Sequence, residues 1–367
     1  MDEKEIRKSL FSVDSNKSPR QDGFFSQFFK KYWTTIKGDL CAAVPAFFKI
    51  GVLFKQANTT MLALIPKKQV VQSIMDYRPI AYCTVFYKTV SKILCGRLKP
   101  LLPSIVGKEQ GAFVEGRCIF ENIMLTQSLI KGYGQQGIEF SNPVSNIDNG
   151  MHNFNLVRYL GVPLNEGKLN NPIFADLLNK IQNALNHWAT HRLSYAGKIS
   201  LINTVIFRFE QYWCATLLIP KGVIKLITKF CINFLWNSGE GTRKLIMKSW
   251  ASCCFPYKEG GFNIKEILTW NKSILCKWIW AIDNKSESTW SQCDLIYNIK
   301  ATGFWTMQIK PHHSESWRGI LYVRNELITR ARDIENARTI LNSCVKARKL
   351  KLHLLYDQFR EKGNRVT

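Results

Sequence analysis

The chain has 367 residues, of which 46% are hydrophobic, and a formal net charge of +24. This composition excludes a disordered tail, and the length suits two or three domains. Positive charge extends from Lys4 to Arg365, which favours a polyanionic partner and makes nucleic acid the leading candidate.

The cysteines and the amino-terminal segment indicate a reducing, intracellular environment. There are eleven cysteines with no C-x-x-C pair, so a disulfide framework is not expected. The first ten residues are charged from the second onward and lack the apolar segment of a signal peptide. The longest apolar stretch is interrupted by Pro45 and Lys49. We therefore expect a nuclear or cytoplasmic protein without a membrane partner.

Apolar spacing in the first third of the chain predicts several helices and one strand. Two helices are expected early, a short one and one with an aromatic stripe. The stretch TTMLALIP alternates in the manner of a buried strand and leads into a basic turn. Two further helices follow, the first stopped by Pro103 and the second ending at KGYG. The apolar positions of the four helices are Ile6 and Leu10; Phe25, Phe29 and Trp33; Val90, Leu94 and Leu101; and Ile119, Ile123 and Ile130.

The stretch KGYGQQG has glycines at the spacing of a dinucleotide-binding loop. Such a loop functions only between a strand and a helix, because the pyrophosphate sits on the helix amino terminus. Here a helical pattern precedes the glycines and a turn-rich segment follows them. The glycines therefore indicate the end of a helix.

The second half of the chain has the pattern of a helical bundle. Asn171-Pro172 is a helix-start signal, and three helices follow, the third opened by Pro220. A further helix is marked by Trp270, Ile274 and Trp278. The last fifty residues mix arginine and lysine with leucine, which favours one or two basic surface helices. The apolar stripes of the bundle helices are Ile173, Leu177, Ile181, Leu185 and Trp188; Ile199, Ile202, Val205, Ile206 and Phe209; and Val223, Ile227, Phe230 and Phe234.

Eight ordered segments of the chain match a known family. They are KSPRQDGF, ALIPKK, DYRPIAYCTVFYKTVSKIL, QGAFVEGRCIFENIM, RYLGVPL, LSYAGKISLINTV, LIPKGVIK and FLWNSGEGTRK. Through them the chain resembles the reverse transcriptases of non-LTR, LINE-type retroelements, especially those of plant genomes. The resemblance covers residues 3–134 and 154–317.

The expected fold class is α+β and predominantly α, with a small sheet only in the fingers. The resemblance implies a truncated right-hand polymerase, with fingers and thumb regions and without a complete palm. The expected regions are fingers-like at 1–134, a seam at 135–157, a helical thumb-like bundle at 158–237, a post-thumb helical region at 238–317 and a basic helical tail at 318–367.

By resemblance, five residues are candidates for contacts with nucleotide and template. Lys67 and Arg78 match positions expected at the triphosphate, where lysine supplies a point charge and arginine a bidentate fork. Gln110, Phe113 and Arg117 match the segment near the template and the nascent base pair, where an aromatic ring or an arginine can stack. Without the resemblance, each is more simply a surface charge or a packed side chain.

The family's palm is missing from this chain. In the family, KGYG is followed by a strand with a catalytic aspartate, a glycine-rich segment and a hairpin with Phe-Ala-Asp-Asp. Here the seam contains only Glu139 and Asp148 as acids, and no Asp-Asp dipeptide occurs anywhere. Reverse transcription requires paired Mg²⁺ ions held by clustered carboxylates. We therefore expect no catalytic residue, no bound metal and no other cofactor.

Two patterns resemble site motifs but favour ordinary structure. Phe174-Ala175-Asp176 resembles the catalytic hairpin with one aspartate deleted, but it lies in an amphipathic helical pattern after RYLGVPL. His187 and His191 have the spacing of zinc ligands on a helix, but no matching acid or cysteine set is evident nearby. Cys253-Cys254 also lacks zinc-site spacing.

Three functions remain open from the sequence. The first is a catalytically inactive remnant of a retroelement reverse transcriptase, an RNA-directed DNA polymerase by family. The second is a non-catalytic protein that binds RNA or DNA electrostatically, without sequence specificity. The third is a decayed transposable-element product without function, since loss of the palm exposes apolar surface and promotes aggregation.

Overall fold

The chain folds mainly into helices. A computed structural model describes residues 1–15, 23–67, 70–107, 109–133, 158–164, 171–189, 193–236, 246–284, 290–291, 299, 303–346 and 349–363. Within these ranges there are also three two-stranded sheets, which confirms the α+β class with predominant helix. The chain divides into two compact units, residues 1–116 and 117–367. None of the helices in the described ranges combines the length and apolar character needed to cross a membrane.

The first unit is a small helical core with one antiparallel hairpin. Its buried apolar side chains come mainly from the first, third and fifth helices, and include Ile6, Leu10, Trp33, Val44 and Ile93. Its elements are α1 (Glu3–Phe11), α2 (Ser26–Lys31), α3 (Trp33–Ile50), α4 (Lys55–Asn58), β1 (Met61–Pro66), β2 (Tyr77–Tyr82), α5 (Val85–Leu98) and α6 (Leu102–Ile105).

Helix α1 forms where the sequence predicts it and packs on α5. The Asp2 carboxylate accepts a hydrogen bond from the Lys4 amide at 3.3 Å and caps the helix start. The Arg97 guanidinium on α5 donates two hydrogen bonds of 2.9 Å to the Glu5 carboxylate. These bonds lower the pKa of Glu5 and fix the two helices side by side.

The predicted aromatic helix around Phe25, Phe29 and Trp33 is wrong in its extent. The helix breaks at Tyr32, whose φ of −100° and ψ of 25° separate α2 from α3. The break turns the chain so that Trp33 enters the core, whereas Phe25 precedes α2 and remains exposed. The i, i+4 spacing correctly predicted that Phe29 and Trp33 are helical. It could not reveal that Tyr32 between them has a backbone conformation outside the helical region.

The strand in TTMLALIP is confirmed, but its predicted burial is wrong. Leu62 is 62% exposed and Leu64 is 49% exposed, because β1 pairs only with β2 in the described sheet. The long helix predicted through Leu101 also ends early, at Leu98. Its buried face is formed by Val85, Thr89, Val90 and Ile93.

The second unit contains the predicted bundle helices. The stripes of α8, α9 and α10 supply much of its core, and the first includes the buried side chains of Leu177, Ile181 and Leu185. Its elements are α7 (Ile119–Tyr133), β3 (Arg158–Tyr159), β4 (Val162–Pro163), α8 (Ala175–Ala189), α9 (Tyr195–Cys214), α10 (Lys221–Trp236), α11 (Trp250–Cys253), α12 (Ile267–Asp283), α13 (Glu315–Ala331), α14 (Ile334–Ser343), β5 (Val345–Lys346), β6 (Lys349–Leu350) and α15 (Leu352–Phe359).

Two features near the predicted seam can be compared with the sequence. Helix α7 is described as far as Tyr133 and includes Gly132, which confirms that a helix leads into the glycines of KGYGQQG. The seam at 135–157, including Glu139 and Asp148, lies outside the described residues.

The expectation of a sheet only in the fingers is wrong. β3 and β4 form a hairpin in the second unit, and β5 pairs with β6 near the carboxyl end. Leu160 and Gly161 adopt φ angles of 50° and 82° and turn the chain between β3 and β4. Two successive positive φ angles match the twist of a tight hairpin.

Helix α12 lies in the centre of the second unit. It buries residues on several sides, among them Trp270, Ile274 and Trp278 of the predicted stripe. Its Asn271 is fully buried, accepts a hydrogen bond from the Ile219 amide at 2.8 Å, and donates to the carbonyl oxygens of Cys214 and Leu217 at 3.0 and 2.9 Å. The buried α9–α10 connection therefore has backbone groups satisfied by a side chain.

The last fifty residues were expected to form one or two basic surface helices. Their described part instead contains most of α13, all of α14 and α15, and the β5–β6 hairpin, and many of its apolar side chains are buried. Leu321, Leu341 and Leu355 lie in the core of the second unit. Arg324 is also buried, and its guanidinium donates to the carbonyl oxygens of Phe304 and Met307. Burial lowers the pKa of Arg324 to about 10.

Replacing Asn271 by leucine tests the contribution of its three hydrogen bonds with the α9–α10 connection. Asn271→Leu leaves one buried N–H and two buried carbonyl groups without their partner, so we expect a loss of about 4 kcal/mol in the free energy of unfolding. Urea denaturation followed by circular dichroism measures this loss. Asn284→Leu is the matched control, because Asn284 is exposed and bonds only within its own helix. Equal losses in the two variants would contradict a stabilising role for the Asn271 hydrogen bonds.

Candidate nucleic-acid interface

The β1–β2 hairpin places Lys67 and Arg78 on one face. Ile65 lies opposite Arg78 in the strand register, and the Lys67 amide donates to the Asp76 carbonyl oxygen at 2.7 Å. Directly opposite residues of an antiparallel pair point to the same face, as do residues two apart on one strand. The two predicted phosphate contacts therefore share a face near the hairpin turn.

Hydrogen bonds hold the hairpin turn. The Asp76 carboxylate accepts from the Gln72 and Ser73 amides at 3.0 and 3.1 Å. The Lys67 ammonium donates to the Met75 carbonyl oxygen at 2.7 Å. An ammonium has three donors, so Lys67 keeps donors for an oxygen ligand while its stem is positioned.

The two hairpin cations differ from Arg97 and Lys99 of the first unit, which form ion pairs. Arg97 pairs with Glu5, and Lys99 pairs with Glu115. Lys67 and Arg78 are exposed and belong to no ion pair among the described residues. Residues 1–116 contain 18 basic and 9 acidic side chains, so the hairpin presents positive charge within a basic unit.

The segment with Gln110 and Phe113 forms an exposed loop of the first unit. The Gln110 side-chain amide donates to the Ala112 carbonyl oxygen at 3.2 Å. Val114 is buried, and Glu115 forms an ion pair of 2.8 Å with Lys99. These contacts anchor the loop on both sides of Phe113, whose side chain is 99% exposed.

Phe113 combines full exposure with a strained backbone. Its φ of 65° lies in the left-handed region, which costs a residue with a Cβ about 1–2 kcal/mol. Its ring is not buried, so core packing does not explain a phenylalanine at this position. Such strain is typical of functional sites, and an exposed ring suits stacking against a base.

The three candidate template residues do not belong to one unit. Gln110 and Phe113 lie in the first unit, and Arg117 begins the second. Arg117 is partly buried.

Several carboxylates in the described part of the second unit are paired with cations. Lys180 and Arg158 both bond Asp176, at 2.8 and 2.5 Å, and lower its pKa. Further pairs are Glu326 with Lys272 and Arg330, Asp283 with Arg338, and Glu259 with Arg360. No group of three or more His, Cys, Asp or Glu side chains in the described ranges is arranged to hold a metal ion. The described carboxylates therefore do not fit the paired Mg²⁺ ions used by the family that the sequence resembles.

The other motif-like residues have structural surroundings. Asp176 lies in the first turn of α8, after a 3₁₀ turn at Asn171–Phe174, so it is not in a hairpin. The ring of His187 contacts Trp188 at a centroid distance of 5.6 Å, and His191 lies outside the described residues. Cys253 and Cys254 are buried, which raises the pKa of both thiols.

A groove along α9 has no counterpart among the sequence predictions. One wall is a stripe of α9, and the other is Tyr257; the cavity volume is about 570 Å³. The lining residues are Ala196, Ile199, Ser200, Asn203, Thr204 and Tyr257. The local signal in the sequence is Tyr257-Lys258 followed by the pair Gly260-Gly261, an aromatic and a cation at a tight turn.

Parts of the chain are similar to a transposon protein and to a plant protein. Over 137 residues, 37% of this chain and 10% of the other, it is 31% identical to the “Transposon TX1 uncharacterized 149 kDa protein” of Xenopus laevis. Over 130 residues, 35% of this chain and 21% of the other, it is 24% identical to a “Putative ribonuclease H protein” of Arabidopsis thaliana. The chain thus matches about a tenth and about a fifth of the length of these two proteins. No protein-family model matches the chain.

Replacing Phe113 by glycine separates stability from function at this position. Phe113→Gly removes the left-handed strain of an exposed residue, and this gain offsets the added flexibility of the unfolded chain. We expect the free energy of unfolding to change by less than about 0.5 kcal/mol. Thermal unfolding by circular dichroism measures this change. A loss above about 2 kcal/mol would mean that the phenylalanine is a structural residue.

Proposed function

We propose that the chain is a remnant of a LINE-type reverse transcriptase that binds RNA or DNA without polymerase chemistry. The fingers-like region at 1–134 and the thumb-like bundle at 158–237 grip the phosphate backbone, without sequence specificity. Such a protein acts in the nucleus or the cytoplasm. The observation that carries the proposal is the exposed pair Lys67 and Arg78 on one face of a basic hairpin.

Both named relatives support a retroelement origin. One is named as a transposon protein and the other as a ribonuclease H protein. A transposon context agrees with the eight ordered segments that resemble non-LTR reverse transcriptases. A ribonuclease H acts on nucleic acid, which agrees with the net charge of +24.

The candidate contacts divide into two kinds. Lys67 and Arg78 supply charge for phosphate oxygens, and Arg78 adds the geometry of a guanidinium fork. Gln110, Phe113 and Arg117 are proposed near the template, with the exposed Phe113 ring as a stacking surface. Phosphate contacts supply most non-specific affinity, so binding is expected to weaken as salt increases.

The proposed lack of polymerase activity rests on the donor set. The two-metal mechanism requires carboxylates that converge on a pair of Mg²⁺ ions. Several described acids instead form ion pairs with arginine or lysine, as Asp176 does with Arg158 and Lys180, and others accept backbone N–H groups, as Asp76 does.

A decayed element product without function is the second candidate. The exposed apolar side chains on both faces of the β1–β2 hairpin favour it, since such surface promotes aggregation. This candidate predicts that the purified chain aggregates and has no measurable affinity for nucleic acid. The first candidate predicts reversible, salt-dependent binding.

Removing the two hairpin cations tests the proposed phosphate contacts. The double variant Lys67→Gln with Arg78→Gln loses two phosphate contacts, so the slope of log affinity against log salt falls by about 1.4 for a single strand. Fluorescence anisotropy with a labelled single-stranded oligonucleotide at several salt concentrations measures the slope.

The matched control removes two exposed lysines of α3. Lys37→Gln with Lys49→Gln changes the net charge equally on the same unit. We expect a smaller change in slope, because these lysines lie outside the proposed contact. Identical slopes for the two double variants would contradict a specific role for the hairpin.

A further inference from the structure

The α9 groove joins a polar helix stripe to an exposed aromatic ring. Ser200, Asn203 and Thr204 lie on one face of α9 and line the groove. The Ser200 hydroxyl belongs to no hydrogen bond among the described residues, and Ser200 is exposed. The Ser200 hydroxyl can both donate and accept a hydrogen bond. It therefore offers these functions to a ligand in the groove that Tyr257 also lines.

Asn203 is incompletely bonded at the same wall. Its side-chain nitrogen donates to the Asn263 carbonyl oxygen over a long 3.4 Å. Its Oδ1 is buried and has no hydrogen-bond partner in the described part of the chain. A buried acceptor without a hydrogen bond costs free energy. A small rotation of the Asn203 amide would let a donor on a ligand form this bond and remove the cost.

Tyr257 is exposed on a turn that is fixed on both sides. Its side chain is 68% exposed. It begins the 3₁₀ turn Tyr257–Glu259, which ends at Gly260 with a φ of 74°. The Gly261 amide donates to the Pro256 carbonyl oxygen at 3.0 Å, and a Cβ on Gly261 would collide with the backbone of Phe255.

An ion pair anchors the far end of the same turn. The Arg360 guanidinium donates two hydrogen bonds, of 2.6 and 2.7 Å, to the Glu259 carboxylate, and the Gly363 amide donates a third at 2.8 Å. These bonds lower the pKa of Glu259 to about 2. The backbone that carries Tyr257 is therefore held in place while its ring stays exposed, which reduces the backbone entropy lost on binding.

We propose that this groove binds one base of a single-stranded nucleic acid, stacked on Tyr257. Ser200 and Asn203 contact the edge of the base, and the exposed Lys258, next in sequence, contacts a flanking phosphate. This inference rests on the proposed nucleic-acid binding and assigns it a second contact, in the second unit. Every base has a π-face, so the contact adds affinity without sequence preference.

The chemistry of the groove favours a base over other small ligands. Five of its six lining residues come from one face of α9, so the groove is a shelf along a helix. A drug-like apolar ligand requires an enclosing, largely apolar cavity, whereas this groove is open and is lined by both polar and apolar side chains. The second unit carries 33 basic and 18 acidic residues. This excess of positive charge attracts a polyanion to the unit that contains the groove.

The test compares two oligonucleotides with the same phosphates. One is a labelled single-stranded DNA of about ten nucleotides, a length within the usual site size, and the other is the same backbone with abasic sites. We expect Tyr257→Ala in the full chain to weaken binding of the first by about ten-fold, the effect of one lost stacking contact. Binding of the abasic strand should not change.

Two further variants serve as controls. Tyr257→Phe keeps the ring and should bind as the wild type does. Tyr322→Ala removes an exposed tyrosine of α13 that does not line the groove, and it should also bind normally.

The outcomes separate this inference from the proposed function. If Tyr257→Ala binds the base-containing strand as tightly as the wild type, or weakens both strands equally, stacking in the groove is wrong. Salt-dependent binding of the wild type would then still support the proposed function. If the wild type binds neither strand, both proposals are overturned.

Discussion

The second unit depends on the contact between α12 and the connection that joins α9 to α10. Residues of this connection are buried, and buried peptide groups without partners would destabilise the unit. Asn271 satisfies three of these groups, and the Trp278 indole donates to the Ala215 carbonyl oxygen at 2.6 Å. The central helix thereby fixes α9, whose outer face carries the groove.

Local patterns in the sequence predicted most helices but not their surroundings. The stripes of α8, α9 and α10 were predictable because each helix buries one face within the same unit, and the stripe of α12 lies in a helix that is buried on several sides. The exposure of β1 was not, because alternation is the same whether or not another layer covers the strand. The groove at Tyr257 was not predictable either, since its walls are distant in the sequence and meet only through tertiary packing. The resemblance indicated Lys67 and Arg78, and the register shows why they share a face.

The distribution of charge unites the proposed functional features. Several acidic side chains in the described part of the second unit pair with arginine or lysine, as Glu259 does with Arg360. Basic residues outnumber acidic ones by 51 to 27, so positive charge remains for a ligand. The exposed rings of Phe113 in the first unit and Tyr257 in the second are the proposed stacking surfaces. We propose that these features hold a strand, whereas metal-dependent transfer requires carboxylates that converge.

Primer extension by the purified full-length chain tests this account most directly. The assay contains an RNA template, a DNA primer, all four deoxynucleotides and Mg²⁺, and a parallel binding measurement uses the same primer–template with and without chelator. The account predicts no extension and equal binding in both conditions, because affinity comes from cations and rings of the protein. Template-directed DNA synthesis that chelator abolishes would contradict it.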